Sequence, residues 1–173
     1  MKRRQSPVES ADSPGPPSDR PASAGVPGPR DVLARYRRAM LDSSADDLAD
    51  LYAPDAVHEL PFPFPGLPAR CDGREEVRAA YRAAWGASPA RPERVVEVAV
   101  HDSTDPEVIV VEQVVTGTLA TTGAPFRVPG LLVMRVRDGA IVHVRDYLDG
   151  LAAVRAADRR PAHGAAADRT TTG

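Results

Sequence analysis

Hydrophobic and polar positions divide this chain into a helical first half and a strand-rich second half. Asp31 is placed to cap a helix on which Leu33, Tyr36 and Met40 share one face. Asp46 to Tyr52 repeats the helical spacing, with Leu48, Leu51 and Tyr52 inward and Pro54 as its stop. Asp55 to Leu60 alternates and predicts a short strand. Pro61-Phe62-Pro63-Phe64-Pro65-Gly66-Leu67-Pro68 then interrupts any regular element, because proline removes an amide donor and fixes φ. This segment reads as a stiff extended loop whose two phenylalanines face the same way and roof a cavity. Asp72-Gly73 precedes a third helix, Arg74 to Trp85, in which Val77, Tyr81 and Trp85 recur every fourth residue.

Strands follow: Arg94 to His101, Glu107 to Leu119, Pro125 to Val136 and Ile141 to Leu148. Turn signals separate them, at Asp102 to Pro106, Thr121-Thr122-Gly123 and Arg137-Asp138-Gly139, so the last three form an antiparallel meander. Helices first and strands afterwards predict an α+β fold, with a curved and mostly antiparallel sheet wrapped around the N-terminal helices. The inward positions Val111, Gln113, Val115, Phe126, Leu132, Met134, Val144 and Asp146 would line an apolar pocket. On the opposite face, Val110, Glu112, Val114, Leu131, Val133 and Arg135 form a partly apolar surface, which predicts a homodimer.

Composition narrows the function classes. Residues 1–29 are rich in Pro, Ser, Gly and Ala and predict a disordered tail, as do residues 159–173, leaving one folded domain over residues 30–158. Lys and Arg number 22 against 24 Asp and Glu, so nothing marks a nucleic-acid partner. No apolar run approaches the roughly 18 residues of a membrane span. The basic start Met1-Lys2-Arg3-Arg4 has no apolar segment behind it, and the chain reads as cytoplasmic. Cys71 is the only cysteine and reads as a buried structural thiol. No His/Asp/Glu spacing predicts a metal site, and no cofactor is expected.

The chemistry concentrates in the last strand. His143, Arg145 and Tyr147 share one face, while Val142, Val144, Asp146 and Leu148 share the other. A carboxylate in an apolar column is desolvated, and its pKa rises toward the range useful for general acid–base work. The alternative is an Asp that caps backbone or meets an arginine. His58 shares a face with Leu60 and either shuttles protons opposite Asp146 or bonds to backbone at a strand edge. Tyr36 is a core aromatic or an oxyanion donor. Gln113 either binds a substrate carbonyl or satisfies a neighbour. Phe62, Trp85 and Phe126 read as wall and core residues.

Several segments together resemble the nuclear transport factor 2-like superfamily. They are Tyr36 with Ala39-Met40, Leu51-Tyr52-Ala53-Pro54-Asp55-Ala56-Val57, Gly73-Arg74-Glu75-Glu76-Val77, and the Asp138-Gly139 turn leading to Arg145-Asp146-Tyr147. Within it the chain is most similar to the SnoaL-like polyketide cyclases, with ketosteroid isomerases and limonene-epoxide hydrolases as cousins. The resemblance spans Asp31 to Ala157 and implies a cone-shaped barrel with a deep apolar pocket. It also implies an acid–base role for Asp146 in the Arg-Asp-aromatic motif and an oxyanion role for Tyr36. The isomerases' two catalytic aspartates correspond to Leu60 and Leu132, and the hydrolases' Arg and Asp to Gln113 and Val115, so neither of those chemistries is expected. The implied function is cofactor-independent cyclisation or isomerisation of an apolar, polyketide-like or polycyclic substrate. Its alternative is a non-catalytic ligand-binding or dimeric accessory module.

Overall fold

The computed structural model describes residues 25–157; the two predicted tails lie almost wholly outside them. Helix α1 spans Pro29–Asp42 and α2 spans Ala45–Ala49. Strands β1 (Tyr52–Glu59) and β2 (Arg70–Asp72) precede α3 (Arg74–Ala87). Then come β3 (Ala90–Asp102), β4 (Val108–Leu119), β5 (Pro125–Arg137), β6 (Ala140–Leu148) and α4 (Gly150–Ala157). The fold is α+β, as expected. One sheet runs in the order β2-β1-β6-β5-β4-β3, antiparallel except where β1 meets β6.

Register irregularities in β3, at Pro92/Arg94 and Glu97/Ala99, supply bends that help to curl the long strands over the helices. Gly117 lets β3 close in, because a Cβ there would run into the Arg91 carbonyl. Val32, Leu33, Tyr36 and Ala39 of α1 and Val77 and Tyr81 of α3 pack with Ile109, Val111, Leu132, Met134 and Val144 in the main core. A second apolar cluster of Leu60, Leu119, Phe126, Val128 and Leu148 is covered by Phe64, Leu67 and Ala153 of α4.

Several local expectations are corrected. Helix α1 begins three residues earlier than a cap at Asp31 would set: Gly28 is its N-cap, and Asp31 reaches back to accept the Gly28 amide at 3.0 Å. Met40 is only half-buried. The second helix is shorter than its spacing predicts, and Tyr52 and Pro54 belong to β1. Proline is tolerated there because the β1–β6 pairing is interrupted between Tyr52 and Val57. Strand β2 and helix α4 carry no strong pattern and were not expected. The Pro-Phe loop is not extended: Leu67 donates to the Phe64 carbonyl, and Gly66 takes φ +81° in the turn between them. Phe64 therefore turns toward the second cluster, whereas Phe62 is exposed and meets the edge of Tyr147 at 5.8 Å.

Candidate active site

Asp146 lies on the concave face of β6, opposite Leu132 of β5. It is 2 % exposed, and its Oδ1 is buried without a hydrogen-bond partner. Burial alone pushes its pKa from 3.8 up to about 7. The neighbouring Arg145 is no counter-ion, because it points to the other face and donates to Glu59 at 3.0 Å. Glu59 also accepts from His143 and Arg70, and the hydrogen bonds from Arg145 first and His143 next hold its carboxyl below its usual range. The face assignment of His143, Arg145, Val144, Asp146 and Leu148 thus matches the sequence pattern. Val142 departs from it: a bulge between Arg135 and Val136 in the β5–β6 register puts Ile141 in the buried column instead.

Tyr36 projects from α1 into the same interior. Its hydroxyl approaches those of Tyr52 and Tyr81 without meeting either in hydrogen-bond geometry, and it has no partner. Burial raises its pKa well above 10, and the Tyr81 and Asp146 charges raise it further. His58, fully buried on β1 and opposite Val144, is clamped between two tyrosines. Its Nδ1 lies 2.8 Å from the Tyr52 hydroxyl and its Nε2 3.2 Å from that of Tyr81. The partners are thus side chains, not the strand-edge backbone considered above. Burial lowers its pKa to about 4, so it is neutral near pH 7. A neutral imidazole offers one donor and one acceptor, so one tyrosine donates to His58 and the other accepts from it. Burial raises the pKa of Tyr52 and Tyr81 well above 10, with Tyr36 and then Asp146 adding to it at Tyr52 and Asp146 at Tyr81.

The remaining expected residues separate into four settings. Leu132 and Met134 are buried on the concave side, and Gln113 joins them at 7 % exposure, bound to Arg37 of α1. Leu60, Val115 and Phe126 belong to the second cluster. Trp85 is half-buried against Tyr81, with ring centres 5.0 Å apart. Phe62 is not in the interior: it forms the rim of a groove of about 750 Å³ on the outer sheet face. Hollows of about 750, 710 and 380 Å³ open on the surface, and Asp146 lines none of them. Leu148 leans over the bare backbone of Gly130, where a Cβ would sit only 2.8 Å from its methyl. Cys71 is buried, and burial, followed by Glu76 and Asp72, raises its pKa.

Sequence pattern marks Tyr52 and Tyr81 only as inward packing positions and does not mark Arg37 at all. The fourfold spacing of α3 marks Tyr81 as inward, but no local signal shows that its hydroxyl meets a histidine. Among the described residues no cluster of three or more His, Cys, Asp or Glu is arranged to hold a metal ion, and no helix is long and apolar enough to cross a membrane.

Comparison with known proteins agrees with this architecture. An uncharacterised PhzA/B-like protein of Pseudomonas aeruginosa is 28% identical over 126 residues, 70% of this chain and 84% of the relative. IdmH of Streptomyces antibioticus, described as a candidate polyketide cyclase, superposes with a TM-score of 0.58 at 24% identity, covering 75% of this chain and 97% of its own. The Δ5-3-ketosteroid isomerase of Mycobacterium sp. gives a TM-score of 0.55 at 24% identity over 67% of this chain and 88% of its own. These structures share the fold with this protein. Residues 33–144 match the SnoaL-like domain family, and the chain belongs to that family.

Proposed function

We propose that the protein is an acid–base enzyme acting on an apolar carbonyl compound, with Asp146 as the proton-transferring group. The observation that carries this reading is the unpartnered, fully buried Asp146 carboxylate, whose pKa of about 7 sits where a general base works best. In the forward step the carboxylate removes a proton from the carbon next to the carbonyl. The C–H electron pair forms the enolate, and its oxygen accepts a hydrogen bond from Tyr36. Where the substrate carries a β,γ double bond the product is a dienolate, and Asp146 returns the proton to its γ carbon, which moves the double bond into conjugation and completes an isomerisation. In a cyclisation the enolate carbon attacks a second carbonyl of the substrate, and the new alkoxide takes the proton. Neither route needs a cofactor. Gln113 orients the substrate, and His58, neutral at working pH, fixes the tyrosine hydroxyls. Leu60, Leu132 and Met134, with Val115 and Phe126 beside them, exclude water. Trp85 supports the network from behind Tyr81.

Deuterium exchange tests this directly. In D2O the protein is expected to speed exchange of the α-hydrogens of 2-tetralone, followed by NMR, with a rate that rises through about pH 7 as Asp146 ionises. Asp146→Asn should reduce the catalysed rate by about 10²-fold or more. Equal exchange by both proteins would overturn the assignment.

A second reading, a ligand-binding or accessory module without chemistry, draws on the small set of buried polar side chains among the described residues, His58, Gln113 and Asp146. It predicts no exchange above background while an apolar ketone still binds.

Either reading includes a homodimer. Phe62, Val98 and Leu151 are exposed apolar side chains that line the outer groove together with Val114, Pro129 and Leu131. Leu131→Glu is expected to convert a dimer to a monomer by sedimentation velocity at micromolar concentration while the melting transition remains cooperative. A wild-type monomer in the same run would refute the dimer.

A further inference from the structure

Among the described residues, three buried side-chain polar atoms lack a hydrogen-bond partner: the Tyr36 hydroxyl, Asp146 Oδ1 and Arg37 Nη2. The first two belong to the proposed reaction; the third does not. Arg37 follows Tyr36 on α1 and carries its guanidinium to the concave face, where its side chain is only 18 % exposed. Nε donates to Gln113 Oε1 at 3.1 Å and Nη1 to Glu97 Oε2 at 2.6 Å. A purely structural clamp leaves its spare nitrogens in water or gives them backbone carbonyls. Nη2 has neither.

The strand register places this arginine relative to Asp146. Leu132 faces Asp146 on one side and Val111 on the other, and Gln113 lies two residues beyond Val111. With strands about 4.8 Å apart and a rise of about 3.4 Å per residue, the Cα atoms of Gln113 and Asp146 are separated by roughly 12 Å. Between them stands Gly130, which contributes no side chain and whose space Leu148 now fills. Rotation of Leu148 would join the arginine and the carboxylate across one apolar floor.

Glu97 identifies the kind of group the arginine takes. Its side chain is 51 % exposed, so it can swing into water at little cost. Its departure leaves Nη1 and Nη2 as a planar two-donor fork, which matches the two oxygens of a carboxylate. We propose that Arg37 anchors a carboxylate on the substrate and that Glu97 occupies that position in the empty protein. The substrate class is then an apolar carboxylic acid whose acid group lies several bonds from the carbon that loses its proton. This inference rests on the interior substrate site of the preceding section.

The test uses the full chain and two probes of matched shape, 2-naphthoate and the neutral 2-acetonaphthone, titrated by calorimetry. Arg37→Met is expected to weaken 2-naphthoate about tenfold or more and the ketone by less than about twofold. Glu97→Gln should tighten 2-naphthoate severalfold and leave the ketone unchanged. If Arg37→Met does not melt cooperatively, Arg37→Lys takes its place and should still weaken 2-naphthoate selectively, because one ammonium cannot form the fork. Equal weakening of both probes, or no gain in Glu97→Gln, overturns the carboxylate anchor while ketone binding keeps the interior site. Failure of both probes to bind the wild-type protein overturns the interior site and this inference with it.

Discussion

Asp146→Asn is expected to gain stability relative to wild type as pH rises, by up to about 4 kcal/mol between pH 4 and pH 9. The sign follows from linkage. Burial raises the folded-state pKa of Asp146 from 3.8 to about 7, so the folded protein holds a proton that the unfolded chain has already lost. Its stability is fully present below about pH 4 and declines as pH climbs through about 7, because the buried carboxylate must then ionise without a partner. Asparagine has no such transition. Chemical denaturation of both proteins at a series of pH values isolates the effect, because contributions from other groups cancel in the difference. A difference that stays flat across this range would mean that Asp146 is paired or solvated, and the proposed base would lose its physical basis. The same variant is the inactive one in the exchange experiment, so function and stability are expected to oppose one another at this residue.

His58→Ala is expected to cost about 3–5 kcal/mol. The substitution removes a fully buried ring and leaves the hydroxyls of Tyr52 and Tyr81 without the nitrogens they meet at 2.8 and 3.2 Å. It also changes the acid limb of stability. His58 has its pKa depressed from 6.5 to about 4, so wild type carries a contribution present above about 6.5 and lost as pH falls through about 4. That loss disappears in the variant. Between about pH 4 and 6.5 the His58 and Asp146 contributions run in opposite directions in wild type, so these two largely offset one another there. Urea unfolding at pH 7 checks the magnitude, and a loss below about 1 kcal/mol would show that the tyrosines find other partners.

Period-two alternation marked the faces of β6 correctly because a strand has only two sides, so local order alone places Asp146 beside Val144 and Leu148. The same rule failed at Val142, since a bulge shifts every residue on one side of it and leaves no trace in a pattern of apolar residues. Alternation also failed in the Pro-Phe loop. Its prolines fix φ at their own positions, but the Phe64–Leu67 turn is set by Gly66 and by packing on the second cluster, so Phe62 and Phe64 end in different environments. Tyr52 fits a helical spacing with Leu48 and Leu51; pairing with β6 drew it into a strand instead.

Residue order is enough to assign the α+β class, the order of helices before strands, the antiparallel meander and the inward direction of Tyr36, Gln113, Leu132, Met134 and Asp146. Each of these follows from short-range periodicity and turn chemistry, which act over a few residues. Which buried polar groups find partners is set by the packing of the helices on the sheet. His58 is satisfied by tyrosines 6 and 23 residues away. Arg37 meets Gln113 and Glu97, 76 and 60 residues away, while its Nη2 stays without a partner. Tyr36 and Asp146 share the interior and remain unsatisfied. Hydrogen-bond satisfaction depends on distances of about 3 Å between groups far apart in the chain, and residue order carries that information only through the completed packing of the helices against the sheet.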